Sequence, residues 1–161
     1  MTIKATARQE NTNLGFPLVI ESRFGDITIR ENDVVVLPQG IYGFEDYHSF
    51  AVIDLPGEHS THFRVLQCLD EIGLVFLLTP LENKGVLVIP ENDLKEATDY
   101  LDLKLRSCDF YAITSISEKK GALEFSLNLK APIVVERQQK KAWQYILERS
   151  DYPVHHVIAM P

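Results

Sequence analysis

No stretch of this chain reaches the roughly 18 consecutive apolar residues that read as a membrane-crossing helix, and no charged-then-apolar leader opens it. Neither a membrane span nor a signal peptide is expected, which places the protein in the cytoplasm. Cysteine is scarce. Cys68 and Cys108 are the only two, and each lies in an apolar, strand-like run, which favours buried small hydrophobes over a bridge. Positive charge is in the minority: 16 Lys and Arg stand against 23 Asp and Glu, for a net charge of -7. That balance repels phosphate backbones and argues against direct nucleic-acid binding. It either keeps the protein in solution or steers a basic partner toward it, and composition does not choose between the two.

The signatures of common reaction centres are missing as well. No two glycines stand in G-x-G spacing, and neither G-K-[ST], G-x-S-x-G nor H-E-x-x-H occurs, so phosphate-cradling loops and familiar hydrolase arrangements are not in view. His155 and His156 are adjacent. On a strand they would point to opposite faces, which suits one shared metal poorly, and His59 with His62 falls in a polar connection. No metal or cofactor is expected.

What the chain does have is a succession of short apolar runs separated by turn residues. At 161 residues, 45% of them hydrophobic, it has the material for one domain, residues 1–161, with a frayed start over 1–15. Phe16 to Ser22 and Ile27-Thr28-Ile29 flank a turn at Phe24-Gly25-Asp26 and predict a hairpin. Val34 to Leu37 lacks alternation, which predicts a strand covered on both faces. Ser49 to Asp54, Phe63 to Cys68, Leu74 to Leu78 and Val86 to Ile89 follow. Leu55-Pro56-Gly57, Thr79-Pro80 and Asn83-Lys84-Gly85 are read as the turns between them, giving antiparallel meanders. One helix is predicted over about residues 91–105, capped by Asn92, with Leu94, Ala97, Leu101 and Leu105 as its apolar stripe. Cys108 to Ser117 returns to strand and turns at Glu118 to Gly121 into Leu123, Phe125 and Leu127. Pro132 predicts a bend before Ile133-Val134-Val135. The stretch 138–149 fits helix or strand, and Pro153 to Ile158 reads as a last strand.

The chain is organised around Leu37-Pro38-Gln39-Gly40-Ile41-Tyr42-Gly43-Phe44-Glu45. A proline and two glycines among large side chains turn a buried strand sharply into a loop. That loop either presents Phe44 and Glu45 for docking or closes as a lid over the molecule's own core.

This motif, with Phe63-x-x-Leu66-Gln67, Phe76-Leu77-Leu78-Thr79-Pro80 and Asn128-Leu129-Lys130-Ala131-Pro132-Ile133-Val134-Val135, resembles the FliW family of bacterial flagellar assembly factors in order and spacing over roughly residues 20 to 158. Tyr42 stands where the family commonly has proline, an exchange expected to loosen the loop, and Cys68 stands where serine is common. The resemblance implies a mainly β, small antiparallel barrel-like domain without enzymatic activity. It implies two partners: CsrA, a small RNA-binding translational repressor, and flagellin, which competes for the factor and thereby frees the repressor. It also turns 142–147 toward strand after a turn at 137–141. Tyr42, Phe44, Glu45 and Lys130 are the candidates for touching a partner. Pro38, Gly40, Gly43, Gln67, Asn128 and Pro132 are candidates for shaping the motifs, with Asn128 bracing the bend and Lys130 exposed. The other reading is a small β-barrel that binds a ligand or acts as an enzyme, which a deep apolar pocket would favour.

Overall fold

A computed structural model describes residues 15–55, 62–83 and 86–158. The expected frayed start, the Pro56-Gly57 break with His59, and Lys84-Gly85 lie outside the described residues. In chain order the strands are β1 (Leu18–Ser22), β2 (Gly25–Ile29), β3 (Val34–Val36), β4 (Ser49–Asp54), β5 (Arg64–Cys68), β6 (Val75–Pro80), β7 (Glu82–Asn83) and β8 (Val86–Leu87). Helix α1 (Glu91–Leu101) precedes β9 (Cys108–Lys119), β10 (Ala122–Leu127), β11 (Ile133–Glu136), β12 (Lys141–Gln144) and β13 (His156–Ile158).

Seven strands close a barrel in the order β11, β12, β3, β4, β5, β6, β9, with β9 returning to β11. β4, β5 and β6 form the expected antiparallel meander, and the one parallel step in the circuit is β12 beside β3, through Lys141 and Val36. Phe50, Leu66, Leu78 and Ile133 lie fully buried inside, joined by Val35, Val52, Tyr111 and Val135. A barrel of so few strands is only wide enough for its own side chains, and these fill it.

β9 is longer than the barrel needs. Its first half pairs with β11 and its second with β10, along the same edge, while β6 takes the other edge. Between the two halves, Asn128 to Pro132 face only Ala112 and Ile113, so the chain bulges outward where Pro132 has no N–H to offer. The bend predicted at Pro132 is this bulge.

The β1–β2 hairpin lies on the outside of the barrel. Ile20, Ile27 and Ile29 cover Ala51, Ile53 and Val65, the outward residues of β4 and β5, whose inward residues fill the interior. β4 and its neighbour β5 are thus buried on both faces. β3 is not: Val35 points inward, but Val36 is 43% exposed, because the hairpin covers Val34 and leaves Val36 bare. Pro80 ends β6 opposite Tyr111 instead of making a turn. Cys68 and Cys108 are free and buried, and burial pushes both thiols up to about 11.

The helix is shorter than predicted. Pro90 occupies the cap, so Asn92 falls within the first turn, where Glu91 and Asp93 complement the positive end of the helix. Asp102 adopts the left-handed conformation, with φ of 58°, and Leu103 N–H turns back to Thr98 O at 2.8 Å. This stops the helix at Leu101 and leaves Leu105 in a 3-10 turn, Leu105–Ser107. Leu94 and Ala97 are buried, Ala97 against Val134 of β11. The undecided stretch is strand only over Lys141–Gln144, after a turn at 137–140, and then runs without regular structure past α1.

Candidate protein-binding surface

On its inner side the loop leaving β3 closes over the molecule's own core. Leu37 and Ile41 are buried and belong to the barrel core, closing one end of it. Gly40 makes the inward turn possible: its φ is +69°, and a Cβ there would stand 2.7 Å from Glu45 Cα. Phe44 N–H donates to Ile41 O at 2.6 Å, and Leu37 N–H to His48 O at 2.8 Å. Asp70 Oδ2 accepts from His48 N–H and Ser49 N–H, each at 3.0 Å, and fixes the far end of the loop.

The outer side of the loop is displayed. Tyr42 is 54% exposed and Phe44 39%. Phe44 meets the ring of Phe76 edge-on, with centroids 5.6 Å apart. Glu45 folds back so that its Oε2 accepts from Gly43 N–H at 3.0 Å, and hydrogen bonds from Gly43 N–H and its own N–H hold the carboxyl below the usual carboxylate range. Gly43 has φ of +92° and open space around its Cα. Pro38 is exposed at the preceding turn.

A side chain that sequence reasoning passed over ties this loop to the bulge. Gln144 Oε1 accepts from Tyr42 N–H at 2.9 Å, and Gln144 Nε2 donates to Ala131 O at 3.3 Å. The one available signal was a polar residue at an inward position of a strand otherwise set by Ala142, a burial that requires partners. Asn128 Oδ1 accepts from Lys130 N–H and Ala131 N–H, each at 3.1 Å, inside the bulge. Gln67 is fully buried and its Nε2 donates to Cys68 O and Ile72 O. Pro132 O accepts from Tyr145 N–H at 3.0 Å.

Lys130 is not brought beside Tyr42, Phe44 and Glu45. Against expectation it is only partly exposed, because its stem follows the bulge and its ammonium donates to Ser150 O at 3.0 Å. Ser150 belongs to the segment after β12, which α1 holds down. Glu96 is buried, and its carboxylate accepts from Tyr145 O–H at 2.8 Å, Glu148 N–H at 2.9 Å and Arg149 N–H at 3.1 Å. Burial by itself would raise its pKa, but these hydrogen bonds together outweigh it and leave Glu96 below the usual range.

A bulge braced by Asn128 and fastened through Gln144 to a glycine-turned barrel plug is the meeting of the first and last motifs. The sequence profile of the FliW protein family matches residues 18–158. The chain belongs to the FliW family. The flagellar assembly factor FliW of Ruminiclostridium cellulolyticum is 31% identical over 143 residues, which is 88% of this chain and 93% of that protein. That of Clostridium botulinum is 33% identical over 136 residues, 83% of this chain and 92% of its own. The crystal structure of a flagellar assembly factor FliW superposes with a TM-score of 0.63 at 25% identity, covering 86% of this chain and 94% of that one. FliW proteins are flagellar assembly factors, and this chain shares their mainly β barrel with a single helix among the described residues. No described helix is long and apolar enough to cross a membrane.

Proposed function

We propose that this protein is a non-enzymatic, cytoplasmic partner-switching factor that binds the translational repressor CsrA, relieves repression of flagellin synthesis, and releases CsrA when flagellin takes its place. Membership of the FliW family across residues 18–158 carries the reading. The net charge of -7 agrees with a basic RNA-binding partner. Tyr42, Phe44 and Glu45 are the contact candidates on the displayed loop, and Lys130 is one on the bulge.

The ligand-binding alternative finds little support in the barrel. Its interior is occupied by its own side chains, and one end is closed by Leu37 and Ile41. The other end is a shallow cleft of about 330 Å³ lined by Arg64, Tyr111, Asp109, Arg137 and Lys140, among others. Its cations are already engaged: Arg64 with Asp54 at 3.0 Å, Arg137 with Asp109 at 2.8 Å, and Lys140 with Asn32 O at 2.8 Å.

The test is to titrate flagellin into a preformed complex of this protein with CsrA. Flagellin is expected to displace CsrA, each weakening the other's affinity by the same factor, because linkage is reciprocal. A stable ternary complex with unchanged affinities defeats partner switching. Failure to bind CsrA at any salt concentration defeats the function itself.

A further inference from the structure

Where β12 leaves the barrel, its outward side chains meet the loop on one side and the end of α1 on the other. Trp143, the chain's one tryptophan, alternates outward between buried Ala142 and Gln144. With Tyr42, Tyr100, Tyr145 and Ile146, and with the amides of Gln39 and Gln144 among them, it lines a hollow of about 200 Å³. Tyr100 is 75% exposed and Ile146 38%. Large apolar side chains scattered singly over a surface are ordinary, whereas several walling one concavity mark an interaction site.

The walls are held from behind by buried polar groups. Tyr145 is fixed by its O–H bond to Glu96, and its phenol, pushed up to about 12 by burial and by that carboxylate, keeps its proton at neutral pH. The Tyr100 ring lies 5.4 Å from that of Tyr145. The backbone of Tyr42 is held by its N–H bond to Gln144 Oε1. A surface ordered before binding loses little side-chain entropy when a partner arrives.

One carboxylate and no cation line the hollow. Glu148 is the one charged side chain lining it, and neither lysine nor arginine does. Lys141 shares the outward face of β12 with Trp143 but lies outside the lining. Asp102 lies two residues after Tyr100, and Glu45 and Asp46 lie three and four after Tyr42, whereas Asp99 is paired with Lys95 at 2.9 Å.

We propose that this hollow is the docking site for a segment of a partner protein that presents an apolar side chain flanked by lysine or arginine. The apolar group fills the space between the rings. The adjacent cation lies over an aromatic face and meets Glu148, a placement in which ring quadrupole and carboxylate act together. A segment flanked by carboxylates meets repulsion from Glu148 and from the -7 of the whole chain. The inference rests on the protein-binding reading above and assigns it a place.

Emission from Trp143 reports occupancy directly. The full chain is titrated with CsrA, with flagellin, with a synthetic Leu/Lys amphipathic peptide and with its Leu/Glu counterpart. Tyr100→Ser and Ile146→Ser are the groove variants, and Leu123→Ser, 63% exposed on the β9–β10 hairpin, is the control. The Leu/Lys peptide and at least one of the two proteins should shift the emission. Each groove variant should weaken that binding about tenfold or more while Leu123→Ser leaves it unchanged. Unchanged affinities in both groove variants overturn the site and leave the proposed function standing. Equal binding of the Leu/Lys and Leu/Glu peptides overturns the stated partner chemistry. An emission shift that depends only on the protein's own concentration assigns the hollow to a second copy and overturns the proposal. Groove-dependent binding of the Leu/Lys peptide, with neither CsrA nor flagellin bound, supports the site and overturns the proposed function alone.

Discussion

Glu96 of α1 accepts a hydrogen bond from Tyr145 O–H at 2.8 Å, and so fastens the segment after β12 to the helix. The same carboxylate takes the N–H groups of Glu148 and Arg149. Glu96→Gln keeps the volume but weakens charge-assisted bonds, and should cost about 1–3 kcal/mol in urea unfolding. The native pKa of Glu96 is depressed. Its contribution to stability is therefore complete above the unfolded value and is lost as pH falls through the native one. Acid unfolding of the Gln variant should be flatter there, and an unchanged acid limb would remove the clamp. Tyr145 and Tyr152 are shifted the other way, from 10.0 to about 12. Their contribution is complete below 10.0 and disappears as pH climbs to about 12, which alkaline titration of the melting temperature can read.

The two loop glycines should respond unequally to alanine. Gly43→Ala meets open space and pays only for its positive φ, about 1 kcal/mol. Gly40→Ala adds a Cβ contact of 2.7 Å with Glu45 backbone, so the loop must move, and the loss should exceed that of Gly43→Ala by about 1 kcal/mol or more. Thermal unfolding of the two variants side by side gives the ranking, and equal losses would show that the loop yields freely at Gly40.

Ile41 and Phe44 separate plug from display. Ile41→Ala empties a fully enclosed position and should cost about 2–5 kcal/mol. Phe44→Ala loses a half-exposed ring with one edge-on neighbour, Phe76, and should cost about 1 kcal/mol. Calorimetric titration with CsrA and with flagellin is expected to show weaker binding for Phe44→Ala and Glu45→Ala in spite of their stability. Undiminished binding of both partners by both variants would take these residues out of the interface.

Within the bulge, Asn128→Ala removes the acceptor for Lys130 N–H and Ala131 N–H and should cost about 1–2 kcal/mol. Lys130→Met keeps the stem and loses the bond to Ser150 O, at a cost of about 0.5–1.5 kcal/mol. A Lys130→Met variant as damaging as Asn128→Ala would mean that the bulge depends on its tie to Ser150 more than on its internal brace.

Association with CsrA should be steered by charge. The screening length falls from about 10 Å near 0.1 M salt to about 3 Å near 1 M, so the association rate should drop steeply while dissociation changes less. Stopped-flow measurement across that range provides the check, and a salt-independent association rate would count against the acidic surface as a guide for the partner.

Much of this fold is written in short-range chemistry. The period-2 pattern of Ile27-Thr28-Ile29, the hairpin turn ending at Gly121, the bulge at Pro132 and the Gly40-Ile41-Tyr42-Gly43 loop all follow from side-chain spacing and backbone freedom over a few residues. The helix stripe was visible for the same reason, but its end was not, because Asp102 can adopt a left-handed cap or continue a helix, and the packing of Leu103 and Leu105 chose.

Sequence by itself therefore determined the β class, the family motifs and the loop's turned shape, since each depends on neighbours along the chain. Only the tertiary structure decided which faces stay uncovered and which distant groups meet. Val36 reads like Val35 but lies beyond the reach of the β1–β2 hairpin. Gln144 and Glu96 read as ordinary polar residues until the barrel buries the one and the segment after β12 covers the other, each with donors that its side-chain oxygens accept. Lys130 reads as a free surface charge until Ser150 O arrives beside it. Pairing, closure and coverage join residues far apart in sequence, and the free energy that selects them arises only when those residues share one desolvated space.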